Sequence, residues 1–345
     1  MPDAHQGYAL PIGGVVDLED AISPAFVGYD IACRMRFTAF DLDQKTLMRD
    51  RKELARILQQ CTSFGVGAEK TRGVQNHPVM DDPRWDTHKF IRTLKPLAAR
   101  QLGSSGSGNH FADLVTVARM ADNVPQYKVG LMTHSGSRGA GYQFAGHYMK
   151  VADAARSASI PKGYGYLTPG HTPQEYQDYK EGMQLLGAYA SANHELIHSL
   201  FAEMAGLQPV DMIENHHNYA WQIGTLWRHR KGATPADSGV RGVIPGSSGT
   251  PSYLVRGLGN PDSLMSAAHG AGRTMSRTKA KQVFDQQAFN KRMQDILHIG
   301  VAKDEGFMAY KDIVEVMHQQ RECVQPTHIL HPAVVIMGGR SRSKG

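Results

Sequence analysis

Cysteine is scarce. The 345 residues contain three, Cys33, Cys61 and Cys323. They lie too far apart for a disulfide framework, and their rarity suits a reducing compartment, so a cytoplasmic location is expected. No run of about 18 apolar residues occurs, which leaves nothing to cross a bilayer as a helix and excludes a membrane partner. The N-terminal stretch MPDAHQGYALPIGG has neither the basic region nor the apolar core of a signal peptide. Repeats, low-complexity tracts and linkers are missing too, which favours a single domain over residues 1–345. Charge of one sign is only mildly in excess: 38 Lys and Arg against 32 Asp and Glu leave a formal net charge of +6. That bias favours a polyanion such as RNA or a nucleotide without proving one.

Glycine, by contrast, is plentiful at 36 residues, and it gathers in short loops beside polar residues. Between those loops the periodicity alternates. Residues 1–40 read as strand, loop and strand, with the polar loop DIAC between the strands. Residues 44–60, 86–101 and 172–206 carry apolar positions at helical spacing, the second with a proline expected to kink or break it. From residue 209 short strands return. The last third reads as helix over 285–300 and 310–322, then a final strand, PAVVIMGG. The pattern predicts an α+β fold in which mixed β-sheets form a central core with helices around it.

HELIH, residues 194–198, matches the H-E-x-x-H pattern of zinc peptidases. On a helix, His194 and His198 share a face and Glu195 would polarise a metal-bound water, with Glu214 available as a third ligand. The surrounding HELIHSLFAEM lacks the glycine and third histidine of one such pattern. A zinc metallopeptidase is therefore one alternative, against the expectation that both histidines are helix-surface or packing residues.

A second set of ligand types sits at strand ends. DIAC supplies Asp30 and Cys33, GNHF supplies His110, THSGSRG supplies His134, and ENHHNY supplies His216 and His217. A thiolate can bridge two divalent ions while imidazoles and a carboxylate complete their shells. Ligand softness alone suggests zinc at least as readily as manganese. The loops GSSGSGN and HSGSRG offer backbone N–H groups for a phosphate, with Arg138 as a bidentate donor. In HGAGRTMSRTKAK, His269 stands among small residues ahead of Arg273, Arg277, Lys279 and Lys281. A neutral imidazole in that setting can approach phosphorus as a nucleophile.

Taken in order, MPDAHQGYALPIGG, ISPAFVGYDIAC, LGSSGSGNHF, HSGSRG, HHNY, HRKGAT, VIPGSSGTPSYLVRG, HGAGRTMSRTKAK and AYKDI resemble the blocks of the RtcB family of RNA-splicing ligases. The resemblance runs from residue 1 to at least 313. It implies an enzyme that joins RNA ends bearing a 2′,3′-cyclic phosphate or 3′-phosphate to 5′-hydroxyl ends, in tRNA splicing or RNA repair. GTP and two Mn²⁺ ions would be its cofactors, with room for an activating protein partner. His269 would be the nucleophile that becomes guanylylated. Asp30, Cys33 and His110 would hold one ion, and Cys33, His134 and His217 the other. The nucleotide would be met by Asn109, His110, Phe111, Ala112 and Asp113, by His217 and Asn218, and by Pro245, Gly246, Ser247, Ser248 and Ser252. His269, Gly270, Ala271 and Gly272 would complete the contacts, with Lys231, Arg273 and Tyr310 at further active-site positions.

The chain departs from that pattern in places. Arg34 follows Cys33 where glycine is usual, placing a cation beside the metal site. Asp113 replaces a glutamate. The N-terminal segment that precedes the MPD block in the family is absent from this sequence. The usual terminal Val-Lys-Gly is replaced by Lys344-Gly345 after an extra RSRS, so Lys344 would have to loop back to reach a guanine. These departures leave a non-catalytic RNA-binding paralogue as a further alternative.

Overall fold

The computed structural model describes residues 1–69 and 76–339. Its strands are β1 (Gly14–Glu19), β2 (Arg34–Phe40), β3 (Phe111–Arg119), β4 (Val129–Ser135), β5 (Pro209–His216), β6 (Asn218–Ile223) and β7 (Leu226–Lys231). The strands β8 (Ala233–Pro235), β9 (Arg241–Ile244), β10 (Ser252–Gly257), β11 (Ser266–Ala268), β12 (Leu297–Ile299) and β13 (Val324–Met337) follow. The helices are α1 (Pro24–Val27), α2 (Gln44–Cys61), α3 (Lys89–Gln101), α4 (Arg138–Ala155), α5 (Pro173–Ala205), α6 (Arg277–Gln282), α7 (Gln286–Met293) and α8 (Ile313–Gln319). The α+β expectation holds. No helix among the described residues is long and apolar enough to cross a membrane.

The central sheet has the order β5-β2-β4-β3-β13-β10-β9, with β12 added parallel to β13. Its two edges approach each other, and Asn215 on β5 links them. Asn215 Oδ1 accepts from the Val243 amide on β9 at 2.8 Å, and its Nδ2 donates to Thr234 Oγ1. The sheet is therefore nearly closed. Strand alternation divides its residues between two faces. Met35, Phe37, Val115, Met132 and Leu330 pack on the inner face. Leu114, Leu131 and Ile336 face outward, against Leu47, Leu54 and Leu58 of α2 and Phe201 of α5.

The helices obey local rules where packing permits. Asp43 caps α2 by accepting from the Thr46 amide, and Gly206, at φ 64°, ends the 33-residue α5. The break expected in α3 does not occur: Pro96 sits inside it, and burial of Ile91, Leu94 and Ala98 against neighbouring helices outweighs the lost hydrogen bond. The helix expected over 285–300 stops at Met293. Leu297 and Ile299, two residues apart, instead pair with Val334–Ile336 as β12, because an alternating pair of apolar residues fits a strand beside β13.

Candidate metal centre and nucleotide cavity

Inner-face residues at one end of the sheet, with the loops above them, enclose a cavity of about 810 Å³. At its floor the Cys33 sulfur lies 3.1 Å from His134 Nε2 and 3.5 Å from His110 Nε2. His134 Nε2 is 3.2 Å from His217 Nε2, and His110 Nε2 is 2.9 Å from Asp30 Oδ2. Two groups of potential ligand atoms result, Asp30–Cys33–His110 and Cys33–His134–His217, each within 4.8 Å, and Cys33 belongs to both. Separate loops and strand ends, far apart in sequence, supply the five. Glycine makes room for them: a Cβ on Gly136 would stand 2.1 Å from Asp30 Oδ1, and one on Gly106 would stand 2.0 Å from Arg138 Nη1.

The protonation pattern calls for cations. His134 Nδ1 lies 3.1 Å from the Asn109 carbonyl and His110 Nδ1 lies 3.1 Å from the Ser105 carbonyl, contacts that only an N–H can make favourable. Each ring therefore presents a lone pair at Nε2, toward a sulfur, another imidazole or a carboxylate. Burial holds the His134 imidazole neutral down to about pH 3. Burial alone would raise the Asp30 pKa, but the neighbouring His110 ring and Arg138 guanidinium hold it at about 2. Burial and the Asp30 charge push the Cys33 thiol up, an effect that a bound divalent ion reverses. His217 Nδ1 is buried with no hydrogen-bond partner. Imidazole nitrogens, a sulfur and a carboxylate converging at two points fit metal ions at both groups.

Above the metal ligands, His269 lines the cavity with its ring centroid 4.9 Å from that of His217. Its Nδ1 lies 2.6 Å from Oδ2 of the fully buried Asp3. Asp3 thus fixes the tautomer in which Nε2 keeps the lone pair. Lys231 donates to the carbonyls of Tyr8 and Ala25 at 2.5 and 3.1 Å, and burial lowers its pKa to about 8. Across the cavity, buried Glu305 gathers Arg273, Arg277 and the Tyr310 hydroxyl. Asp113 reaches the cavity wall from β3 with Oδ1 buried and unpartnered, and burial pushes its pKa well up.

Residues 1–89 and 81–338 match the family described as tRNA-splicing ligase RtcB. The chain belongs to the RtcB family. RNA-splicing ligase RtcB of Escherichia coli K12 is 32% identical to it, over 98% of this chain and 89% of that protein. The Mycobacterium tuberculosis RNA-splicing ligase RtcB is 30% identical over 93% and 92%, and the Aeropyrum pernix tRNA-splicing ligase RtcB is 29% identical over 92% and 82%.

Most residues that the RtcB blocks single out share this one cavity. Asn109, Phe111, Asp113, Asn218, Lys231, Pro245–Ser248, Ser252, His269–Arg273 and Tyr310 line it. Ala112 does not: strand alternation turns it outward among Leu114, Leu131 and Ile336. Arg138 packs beside Ser104 Oγ and His110 Nδ1 rather than on the cavity wall, so its expected role as phosphate donor is not what its contacts show. Arg34 is the cation expected beside the Cys33 ligand groups, and its charge acts on the Cys33 thiol, but its side chain turns away from them. Its guanidinium is buried on the outer face, held by Glu214 at 3.1 Å and by the Ala32 and Gly187 carbonyls. Lys344 lies outside the described residues.

Among the described residues HELIH belongs to no group of potential metal ligands. His194 and His198 are buried, not on the helix surface, and Glu214 is taken up by Arg34 and Ser191. Glu195 points outward to His77. The reading of the sequence missed Asp3 and Glu305. Asp3 lies within the first matching block, but nothing in its spacing announces a partner 266 residues away.

Proposed function

We infer that this chain is an RNA ligase that joins 2′,3′-cyclic phosphate or 3′-phosphate ends to 5′-hydroxyl ends through a histidine–GMP intermediate. The observation that carries the reading is His269, oriented by Asp3 and facing the same cavity as the Cys33-centred ligand groups. Nε2 of His269 attacks the α-phosphorus of GTP, forming an N–P bond as pyrophosphate leaves with the electron pair of the broken P–O bond. The Asp3 carboxylate stabilises the positive charge that develops on the ring. Water opens a cyclic phosphate to a 3′-phosphate. An oxygen of that 3′-phosphate then takes the GMP, releasing His269. The 5′-hydroxyl attacks the activated 3′-phosphorus, and GMP departs as the phosphodiester forms.

Lys231, Arg273 and Arg277 offset charge on the transferring phosphates. Asp30, Cys33, His110, His134 and His217 would hold two manganese ions, which supply charge neutralisation and Lewis acidity at the phosphate oxygens. Asp113 offers a buried carboxyl group to guanine, whose N1 and N2 both carry N–H donors. Cytoplasmic tRNA splicing or RNA repair supplies substrates of this kind. The test is incubation with α-labelled GTP and Mn²⁺. Wild-type protein should take up acid-labile label, and His269→Ala should lose it with metal binding retained. Label that survives the substitution overturns the assignment.

A further inference from the structure

Tyr29 and Tyr142 form a stacked pair at the edge of the cavity. Their ring centroids are 4.9 Å apart with an interplanar angle of 24°. Both remain open to solvent, Tyr29 at 40% and Tyr142 at 61%. Tyr29 lines the cavity and directly precedes Asp30. Tyr142 lies in the first turns of α4, four residues after Arg138, whose guanidinium reaches His110. Each ring is therefore anchored on a segment that also carries or supports the proposed metal ligands.

A parallel aromatic pair left open at the lip of a polar cavity needs an explanation, because large aromatic faces in water mark places where another surface binds. Stacking occupies one face of each ring and leaves the outer face of Tyr142 available. Lys231, Arg273 and Arg277 in the same cavity attract a phosphate chain toward this lip. An aromatic platform beside a cationic groove is the arrangement that single-stranded nucleic acid requires, since every base offers a π-face whatever its identity.

We propose that Tyr142, backed by Tyr29, is a stacking platform for the base of the terminal nucleotide of a single-stranded RNA end, holding that end at the mouth of the cavity. This rests on the ligase reading above. Because stacking is blind to base identity, the platform admits ends of any sequence, as substrates defined by their terminal phosphate or hydroxyl demand.

The experiment measures equilibrium binding of short single-stranded RNA to the full chain by fluorescence anisotropy. One oligonucleotide carries a 3′-phosphate end and another a 5′-hydroxyl end, each with the dye at its far end. Each is made with an intact or an abasic terminal nucleotide. For at least one end, Tyr142→Ala should weaken binding of the intact strand about tenfold and leave binding of the abasic strand unchanged. Tyr142→Phe should bind as the wild type does, since the ring and not the hydroxyl is used. Melting temperatures establish that the variants are folded. Whichever strand shows the effect identifies the end that the platform holds. Tyr142→Ala binding both intact strands like the wild type overturns the proposal, as does a loss equal for intact and abasic strands. Labelling of the wild type by GTP is followed in parallel: its absence would remove the ligase reading, while the binding comparison would still decide the platform.

Discussion

Two clusters of buried histidines sit back to back across β4, and they differ in one respect. On the inner face His134 meets Cys33 and His217; on the outer face the adjacent Thr133 meets His194 and His198. In the outer cluster every ring nitrogen has a partner of the complementary kind. His194 Nε2 donates to the Ser135 carbonyl at 3.1 Å, so its Nδ1 accepts from Thr133 Oγ1 at 2.6 Å. Thr133 Oγ1 in turn accepts from His198 Nε2 at 2.8 Å, and His198 Nδ1 accepts from Thr38 Oγ1 at 2.7 Å. The chain of donors and acceptors closes with both imidazoles neutral. In the inner cluster imidazole nitrogens crowd a sulfur and a carboxylate, and one ring nitrogen, His217 Nδ1, is orphaned. Ligand spacing on a helix points to the outer cluster, while a count of donors and acceptors favours the inner one.

The sharpest way to break this comparison is to remove the shared sulfur. Manganese titration of the wild type should saturate at two ions, and Cys33→Ala should weaken both together. The loss should exceed the roughly 10–100-fold that follows removal of a mere supporting partner of a metal ligand. One ion bound at undiminished affinity in the variant would show that Cys33 is not a bridge.

The outer cluster should respond in stability instead. His198→Ala opens a cavity in the α5 interface and strands the hydroxyl of Thr38. A cost of about 2–4 kcal/mol in denaturant unfolding is expected, with the manganese stoichiometry unchanged. Altered stoichiometry would return HELIH to the metal question.

A gentler probe is acid. Burial lowers the pKa of His194 and His198 well below 6.5 and that of His229 to about 4. The unfolded chain takes up protons below pH 6.5 while these folded rings do not, so stability is full above 6.5 and falls as pH drops. For His229 the loss runs down to about pH 4. Each histidine contributes about 1.4 kcal/mol per pH unit inside its window. Urea melts of metal-free protein at pH 7.5, 6.5 and 5.5 should show the break at 6.5, and His198→Ala should flatten the slope below it. A profile without that break would mean the rings are protonated in the folded state.

Much of the site was legible because its residues stand in short glycine-rich blocks at strand ends. Asp30, Cys33, His110, His134 and His269 could each be named from its own neighbours, whereas ENHHNY offered His216 and His217 alike and only the family resemblance chose His217. What stayed hidden were relations between distant segments. Periodicity could not show that Arg34 faces outward to Glu214, that Asp3 meets His269, or that Ala112 and Asp113 part to opposite sides of β3. The first and last of these depend on strand register, where a shift of one residue exchanges the faces, and the Asp3 contact depends on how two distant loops meet. The same limit explains β12, whose three residues are a strand only because β13 lies beside them.

β13 also dictates an order of assembly. The cavity wall has one part on β3, with Asp113, and another on β10, with Ser252. These strands never touch; each pairs with a different edge of the 14-residue β13. During synthesis at the ribosome the proposed nucleophile and all five proposed metal ligands emerge before the strand that unites them. A nascent chain therefore has its reactive groups long before it has a pocket. Closure by a long-range strand is a slow kind of folding step, and it leaves the cavity open until Val324–Met337 has been made.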